Sequence, residues 1–465
     1  ITNRDRMFDC PQNLREEEMF EVPEWAANKV VYQIFPSRFA ATEPVDKELW
    51  YKAPITPMDD LHGNLRGIIE HMDDIQNLGI DVLYMTPIFQ SNSCHKYDTT
   101  DYYQIDPSFG TTEDLKELVQ KAHERGMKVV LDAVYNHTGR EFFAFADILE
   151  NGEKSKYRDW YFIDGFPLKS EWGEIPNFKC FGYYGGMPKL NLKNPEVEKY
   201  ITDVACYWIK ECDIDGWRLD VGDEISHFFW KNFRKAVKAV KKDMLIIGEI
   251  WHYAGDFLEG DEWDTVMNYP FYLNLIDLLA DEKITVSQFV QNLGYLKGRL
   301  HKNCYPLMWN LIDSHDTARF LHLCNDNKKK QHLAAAFQLL LPGMPMIYYG
   351  DEYAMPGAND PDCRRGMYWD EEYQDKEMYE WYKRLIQVRK SHACIVEGEL
   401  AGSVTEDEEG TVVLIRKNGE ETIAMIFNCS NSAKKFNEYT QKYNLLTENT
   451  FDGNVEGFDA AVIVL

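Results

Sequence analysis

Three acids carry the chemistry this chain can do: Asp220 at the end of Asp215-Gly-Trp-Arg-Leu-Asp220, Glu249 after Gly248, and Asp316 after His315. The first stretch reads as a short strand. With period-two alternation, Arg218 and Asp220 share one face, and Trp217 and Leu219 the other. A cation two residues from a carboxylate favours its ionised form, so Asp220 is expected to remain a carboxylate, as a nucleophile must. Glu249, facing the negative charge of Asp220 and Asp316, is expected to have a raised pKa and to keep its proton near neutrality. An ionised acid set against a protonated one is the pair that retaining glycoside hydrolysis uses. The third acid would bind sugar hydroxyls and favour an oxocarbenium-like transition state. Any one Arg-x-Asp is most simply a buried salt bridge; the reading rests on the three acids together.

The elements that must position these acids alternate along the chain. Strand-like runs at Val30–Phe35, Val82–Met85, Lys128–Ala133, Gly216–Leu219, Leu245–Ile250, Asp264–Met267, Leu307–Ile312 and Met346–Tyr349 are separated by runs of helical spacing. These strands are apolar and β-branched, as strands buried on both faces of a parallel sheet are. Eight such units predict an α/β chain built on a closed (β/α)8 TIM barrel. In that fold the C-terminal strand ends line the site, and there the polar residues fall: Asp132 with Asn136-His137, Arg218 and Asp220, Glu249, and His315-Asp316. A barrel built only for stability gains nothing from concentrating acids at one end, because like charges repel and lose solvation.

The predicted organisation is an N-terminal arm over residues 1–24, a barrel over 25–137 and 195–393, and an inserted loop-rich domain over 138–194. A C-terminal antiparallel β-sandwich domain over 394–465 completes it. The insert is aromatic and Gly-rich, and a loop of that length inside a domain is functional or a small domain itself. From Glu397 onward the runs become short, β-rich and punctuated by Gly and Asn.

Composition narrows the partners. Of the 465 residues, 45% are hydrophobic and 27% charged, ordinary for a globular protein. The net charge of −27 argues against nucleic acid or an anionic membrane, both of which reward clustered Lys and Arg. No run has the roughly 18 apolar residues of a membrane span. Aromatic residues make up 14%, with 27 Tyr and 12 Trp, and flat rings suit sugar faces. The ten cysteines are scattered without a CxxC pair, which predicts a reduced, cytoplasmic protein.

These residues are specific enough for a family resemblance. Asp132-Ala-Val-Tyr-Asn-His137, Gly216-Trp-Arg-Leu-Asp220, Gly248-Glu-Ile-Trp-His252 and Ser314-His-Asp316 resemble, in order, the blocks of glycoside hydrolase family 13, the α-amylase family. Met187-Pro-Lys-Leu-Asn191 and His95-Lys-Tyr-Asp-Thr-Thr-Asp-Tyr102 are similar to the neopullulanase, cyclomaltodextrinase and maltogenic amylase subgroup. The resemblance implies Asp220 as nucleophile, Glu249 as acid/base and Asp316 as transition-state stabiliser. It implies that Arg218 orients Asp220, that His137 and His315 bond sugar hydroxyls, and that Tyr97 stacks on the same ring. By the same resemblance Asp360 and Arg364 line the donor side, and Trp251 and Glu224 the acceptor side. The subgroup usually has Asn before that Glu, whereas Asp223 stands here, and the extra charge leaves the balance of hydrolysis and transfer open.

The expected activity is a retaining hydrolase of α-1,4 bonds in maltodextrins, cyclodextrins, starch or pullulan. The alternatives are a 4-α-glucanotransferase using the same residues, and a carbohydrate-binding protein that has lost catalysis. The expected partner is an α-glucan oligosaccharide or polysaccharide. Subgroup members usually carry an additional N-terminal β domain that supports a dimer, and its absence predicts a monomer with a more open cleft. No cofactor is expected to be required. The strand-one loop (Arg38 to Gly67) lacks the dense oxygen ligands that Ca²⁺ needs, which leaves only a site between barrel and insert, where Asn136 could serve.

Overall fold

The computed structural model describes residues 21–43, 45–169 and 175–465. Eight parallel strands form the central sheet: β1 (Val31–Ile34), β2 (Val82–Met85), β3 (Lys128–Ala133), β4 (Gly216–Leu219), β5 (Leu245–Gly248), β6 (Thr265–Val266), β7 (Trp309–Asn310) and β8 (Met344–Tyr348). Their order is β6-β5-β4-β3-β2-β1-β8-β7. A parallel bridge between Met267 and Trp309 joins the two ends, and Asn268 donates its N–H to the Trp309 carbonyl at 2.8 Å. The sheet is therefore a closed barrel, as the eight strand-helix units predicted.

The strands are buried on both faces, which explains their continuous apolar runs. Inside the barrel, Val31, Tyr84, Val130, Leu245, Ile247, Met267, Trp309 and Met346 belong to one cluster. Larger side chains such as Trp208, Trp217 and Trp230 are buried in a second, extended cluster. Register places Asp132 beside Arg218, and Leu219 beside Gly248. Gly248 has a steric reason: a Cβ there would come within 2.2 Å of Trp263, so this ring closes against the strand just before Glu249.

Three of the expected strands, β2, β3 and β4, have the predicted bounds, while β6 and β7 shrink to two residues each. The expected helix over Leu65–Leu78 is two pieces, Leu65–Glu70 and Met72–Leu78, meeting at His71. Helix starts follow local chemistry. Thr111 and Asp114 form a capping box for Thr112–Glu124, and Asn194 caps Pro195–Cys212 with proline at the first turn.

Between β2 and β3 an antiparallel hairpin, Phe89–Ser91 with Thr99–Ile105, went unpredicted; it carries His95 and Tyr97 in its turn. The described residues of the segment expected as the insert hold one α-helix, Phe143–Asn151, and isolated bridges within the segment, while a bridge from His137 to Lys189 ties it back to the barrel. After the barrel, β9 (Glu399–Glu406), β10 (Thr411–Asn418), β11 (Glu421–Asn428) and β12 (Asp459–Val464) form an antiparallel sheet, extended to six strands by Tyr443–Asn444 and Asn449–Thr450. Phe427 of this sheet stacks on Phe337 of helix Lys328–Leu340 at 4.2 Å, joining sheet to barrel. Most of the expected N-terminal arm lies outside the described residues. Among those described, no helix is long and apolar enough to cross a membrane.

Candidate active site

The strand ends bring four acids onto one guanidinium. Arg218, fully buried, places Nη1 3.0 Å from Asp220 Oδ1 and within 3.1 Å of both oxygens of Asp132. Its Nη2 lies 2.8 Å from Glu249 Oε2 and 3.9 Å from Asp316 Oδ2. The geometry follows from the pleat: Asp132 and Arg218 are cross-strand neighbours, and Asp220 returns to the Arg218 face two residues on. Asp220 Oδ2 is buried and has no hydrogen-bond partner.

Burial is the largest influence on all four carboxyls and pushes each above the ordinary range, Asp132 to about 6, with Arg218 the chief opposing influence. For Glu249 the raised value agrees with the sequence expectation. For Asp220 it corrects that expectation. Arg218 does not by itself hold Asp220 ionised, because one positive charge is divided among four acids from which water has been removed. The four titrate as a set.

Val221, directly after Asp220, has φ 46°, a left-handed conformation that is costly for a β-branched residue. The turn it makes aims its N–H at Glu249 Oε2, 3.0 Å away. The other Glu249 oxygen accepts from Trp251 Nε1 at 3.2 Å. Trp251 stacks on Tyr269 at 3.9 Å, and with 42% of its surface exposed it still presents area to solvent beside Glu249.

Opposite these, the hairpin turn sets Tyr97 parallel to His315, with 3° between the rings. Gln33 Nε2 donates to His315 Nδ1 at 2.7 Å, so the proton sits on Nε2, which meets the Tyr97 hydroxyl; Tyr97 in turn donates to Asp132 Oδ2 at 3.0 Å. His137 reaches the Tyr97 carbonyl at 3.0 Å and stacks on Phe181 at 5.1 Å. Burial lowers both imidazoles, His137 to about 4 and His315 well below its usual value, so both are neutral near pH 7.

Arg364 bonds the His315 carbonyl at 2.8 Å, approaches Asp316 Oδ1 at 3.5 Å and pairs with Asp360 at 2.8 Å. It thus ties Asp360 to the three acids. Glu224 accepts from Asn136 at 3.1 Å and pairs with Lys189 at 2.8 Å. Asp223 faces His252, 3.3 Å from Nε2. All eleven candidate residues therefore lie in one connected region.

The junction where Asn136 was a candidate Ca²⁺ ligand does not fit a metal. Lys189 Nζ lies among Asn136 Oδ1, Glu224 Oε2 and the Glu224 carbonyl, so an ammonium already draws on the oxygens a cation would need. Among the described residues, no three His, Cys, Asp or Glu side chains converge as a metal cluster.

Residues the sequence did not single out complete the site. Tyr84 donates to Asp132 Oδ2 at 2.7 Å, and Gln33 orients His315. A Gln in an otherwise apolar buried strand was the available signal for Gln33. Lys189 lay inside a recognised block, but nothing local showed that it spans to Glu224.

The catalytic-domain model of the α-amylase family matches residues 33–398. The chain belongs to the α-amylase family. It is 46% identical over 430 residues, 92% of its length and 73% of the relative's, to a cyclomaltodextrinase of Geobacillus thermopakistaniensis. It is 42% identical over 421 residues to neopullulanase 2 of Thermoactinomyces vulgaris, covering 89% of this chain and 72% of that one. A solved cyclomaltodextrinase structure superposes with a TM-score of 0.91 at 38% identity, covering 96% of this chain and 79% of the other. This α-amylase family member is thus a glycoside hydrolase with cyclomaltodextrinases and neopullulanases among its relatives.

Proposed function

We propose that the protein hydrolyses α-1,4-glucosidic bonds of maltodextrins and cyclodextrins with retention of anomeric configuration. Asp220 is the nucleophile, Glu249 the acid/base and Asp316 the stabiliser of the oxocarbenium-like transition state. The observation that carries this reading is the unpartnered Asp220 Oδ2: Arg218 fixes the carboxyl through Oδ1 and leaves the other oxygen for an anomeric carbon.

In the active microstate Asp220 is ionised and Glu249 keeps its proton. Glu249 gives that proton to the leaving glycosidic oxygen as Asp220 Oδ2 bonds to C1. It then takes a proton from the water that attacks C1 and releases Asp220. Clasping both carboxyls on one guanidinium supports the close spacing of this double displacement, ~5–5.5 Å, over the ~6.5–9.5 Å that leaves room for a water in single displacement. Neutral His137 and His315 act as hydroxyl partners, Tyr97 as the stacking face, Asp360 and Arg364 as the donor-side wall, and Trp251 and Glu224 as the acceptor side. Lys189 supports a site assembled without Ca²⁺, and the unpaired described cysteines suit a reducing cytoplasm.

The test is a panel of maltotriose, β-cyclodextrin, soluble starch and pullulan, followed by product chromatography and by proton NMR of the first-formed anomer. Initial α-products from an α-bond support the reading. Initial β-products overturn retention, and no product from any glucan overturns the function.

A further inference from the structure

The loops after β1 and β8 meet on the face of the barrel that carries the acids, and between them lies a cleft of about 300 Å³. Trp50, Tyr51, His71 and Trp369 line it, and Lys47 and Asp370 supply an ion pair at its edge. The polar atoms of the rings are used inward. Trp50 Nε1 donates to the Met367 carbonyl at 2.8 Å, Trp369 Nε1 to the Phe39 carbonyl, and Tyr51 Oη accepts from the Asp370 N–H at 3.0 Å. Tyr51 also stacks on Tyr373 at 4.1 Å, and His71 on Trp369 at 3.6 Å. Ring faces and edges held in this way keep their orientation without a ligand, so a ligand that packs on them loses little entropy.

Pre-set aromatic surface beside a carboxylate and an ammonium matches a sugar, whose C–H face packs on π surface while its hydroxyls meet charged groups. An anionic ligand is disfavoured by a chain of net charge −27 and by the Asp370 carboxylate at the edge. The cleft is also continuous in sequence with the donor side. Trp369 stands five positions beyond Arg364, no more than about 18 Å of extended chain.

We propose that this cleft is a second α-glucan-binding site, separate from the catalytic residues, that holds the distal part of a long chain. The proposal rests on the α-glucan reading above. Short substrates that fill only the catalytic cleft do not use it; amylose does.

Isothermal titration of the Asp220→Asn protein with maltoheptaose tests it, alone and combined with Tyr51→Ala or with Ala41→Trp, which fills the cleft without deleting a ring. Two sites per chain are expected in Asp220→Asn and one in either combination. In the active protein, Tyr51→Ala should raise KM for amylose about 5-fold, the effect of one lost aromatic contact, and leave kcat/KM for maltotriose unchanged. One site in the Asp220→Asn titration, or two sites surviving in Ala41→Trp, overturns the proposal, the rings then being structural only. Because maltotriose turnover reports the catalytic reading independently, its loss in the unsubstituted protein marks failure of that reading, while its presence with a single titratable site marks failure of this one.

Discussion

Arg218 bonds one oxygen of Asp220 at 3.0 Å and leaves the other buried without a partner. A carboxyl held in this way is oriented yet still has a lone pair to spend. Replacing it with an amide keeps the shape and removes the nucleophile. Asp220→Asn should lower kcat by roughly 10⁴-fold or more, with an unchanged near-ultraviolet circular dichroism spectrum. Activity within tenfold of the parent would refute the assignment.

The acids titrate together, yet substitutions beside different members should move different limbs of the pH profile most. Asp132 raises the pKa of Asp220, so Asp132→Asn should let Asp220 ionise at lower pH and shift the acidic limb of kcat/KM downward. The Trp251 hydrogen bond lowers the pKa of Glu249, so Trp251→Phe should keep Glu249 protonated to higher pH and move the alkaline limb upward. Profiles measured on maltotriose check both directions, and a shift of the same limb in both variants would contradict the division of roles.

Removing the guanidinium should expose the repulsion it offsets. Arg218→Met is expected to cost about 3–5 kcal/mol at pH 7, as loss of one partner from a buried ion pair does. The carboxyls already have raised folded-state values, so their favourable contribution is present below the ordinary carboxylate range and is lost as pH rises through those values. Without Arg218 they rise further, and the deficit should grow from about pH 4 upward. Urea unfolding at pH 5 and pH 7 measures it; an equal deficit at both pH values would point to packing alone.

Lys189 should be replaceable by a metal only after it is gone. Chelation is expected to leave the parent's Tm unchanged. In Lys189→Ala, Asn136 and Glu224 face each other without a cation, and millimolar Ca²⁺ should restore part of the lost Tm. Differential scanning calorimetry with and without Ca²⁺ decides this, and a Ca²⁺-dependent Tm in the parent would show that the ammonium is not the resident charge.

Much of this arrangement was legible in the sequence because the barrel enforces a local code. Strands β2, β3 and β4 are buried on both faces, so their apolar runs end where pairing ends, and polar residues beyond them fall at the site. The code weakens where pairing is brief: β6 and β7 keep only two paired residues each, so flanking apolar residues were read as strand. It fails for β9, exposed over most of its length and polar in pattern, and for the hairpin at Phe89–Ser91, whose alternation is broken by its turn. Asp220 and Glu249 were found because each directly follows a strand, and Asp316 because the apolar run of β7 leads into His315-Asp316. The direction of the Asp220 shift was misjudged because spacing along the strand showed the cation but neither the burial of the carboxyl nor the division of that cation among four acids. Lys189 and Glu224 are far apart in the chain, and nothing at either position announces the other.

The bridge between Met267 and Trp309 has a consequence for how the cleft can move. The barrel closes there through its two shortest strands, so an opening fluctuation meets the least resistance at that seam. Asn268 and Tyr269 follow directly on one side of it, and Tyr269 carries Trp251 on its ring. A small parting of the seam would therefore tilt the acceptor wall and widen that entrance, while the arc from β2 to β4 kept Asp132, Arg218 and Asp220 in register. Glu249 follows β5 beside that seam and Asp316 follows β7 at it, so the same movement would reach two of the three acids.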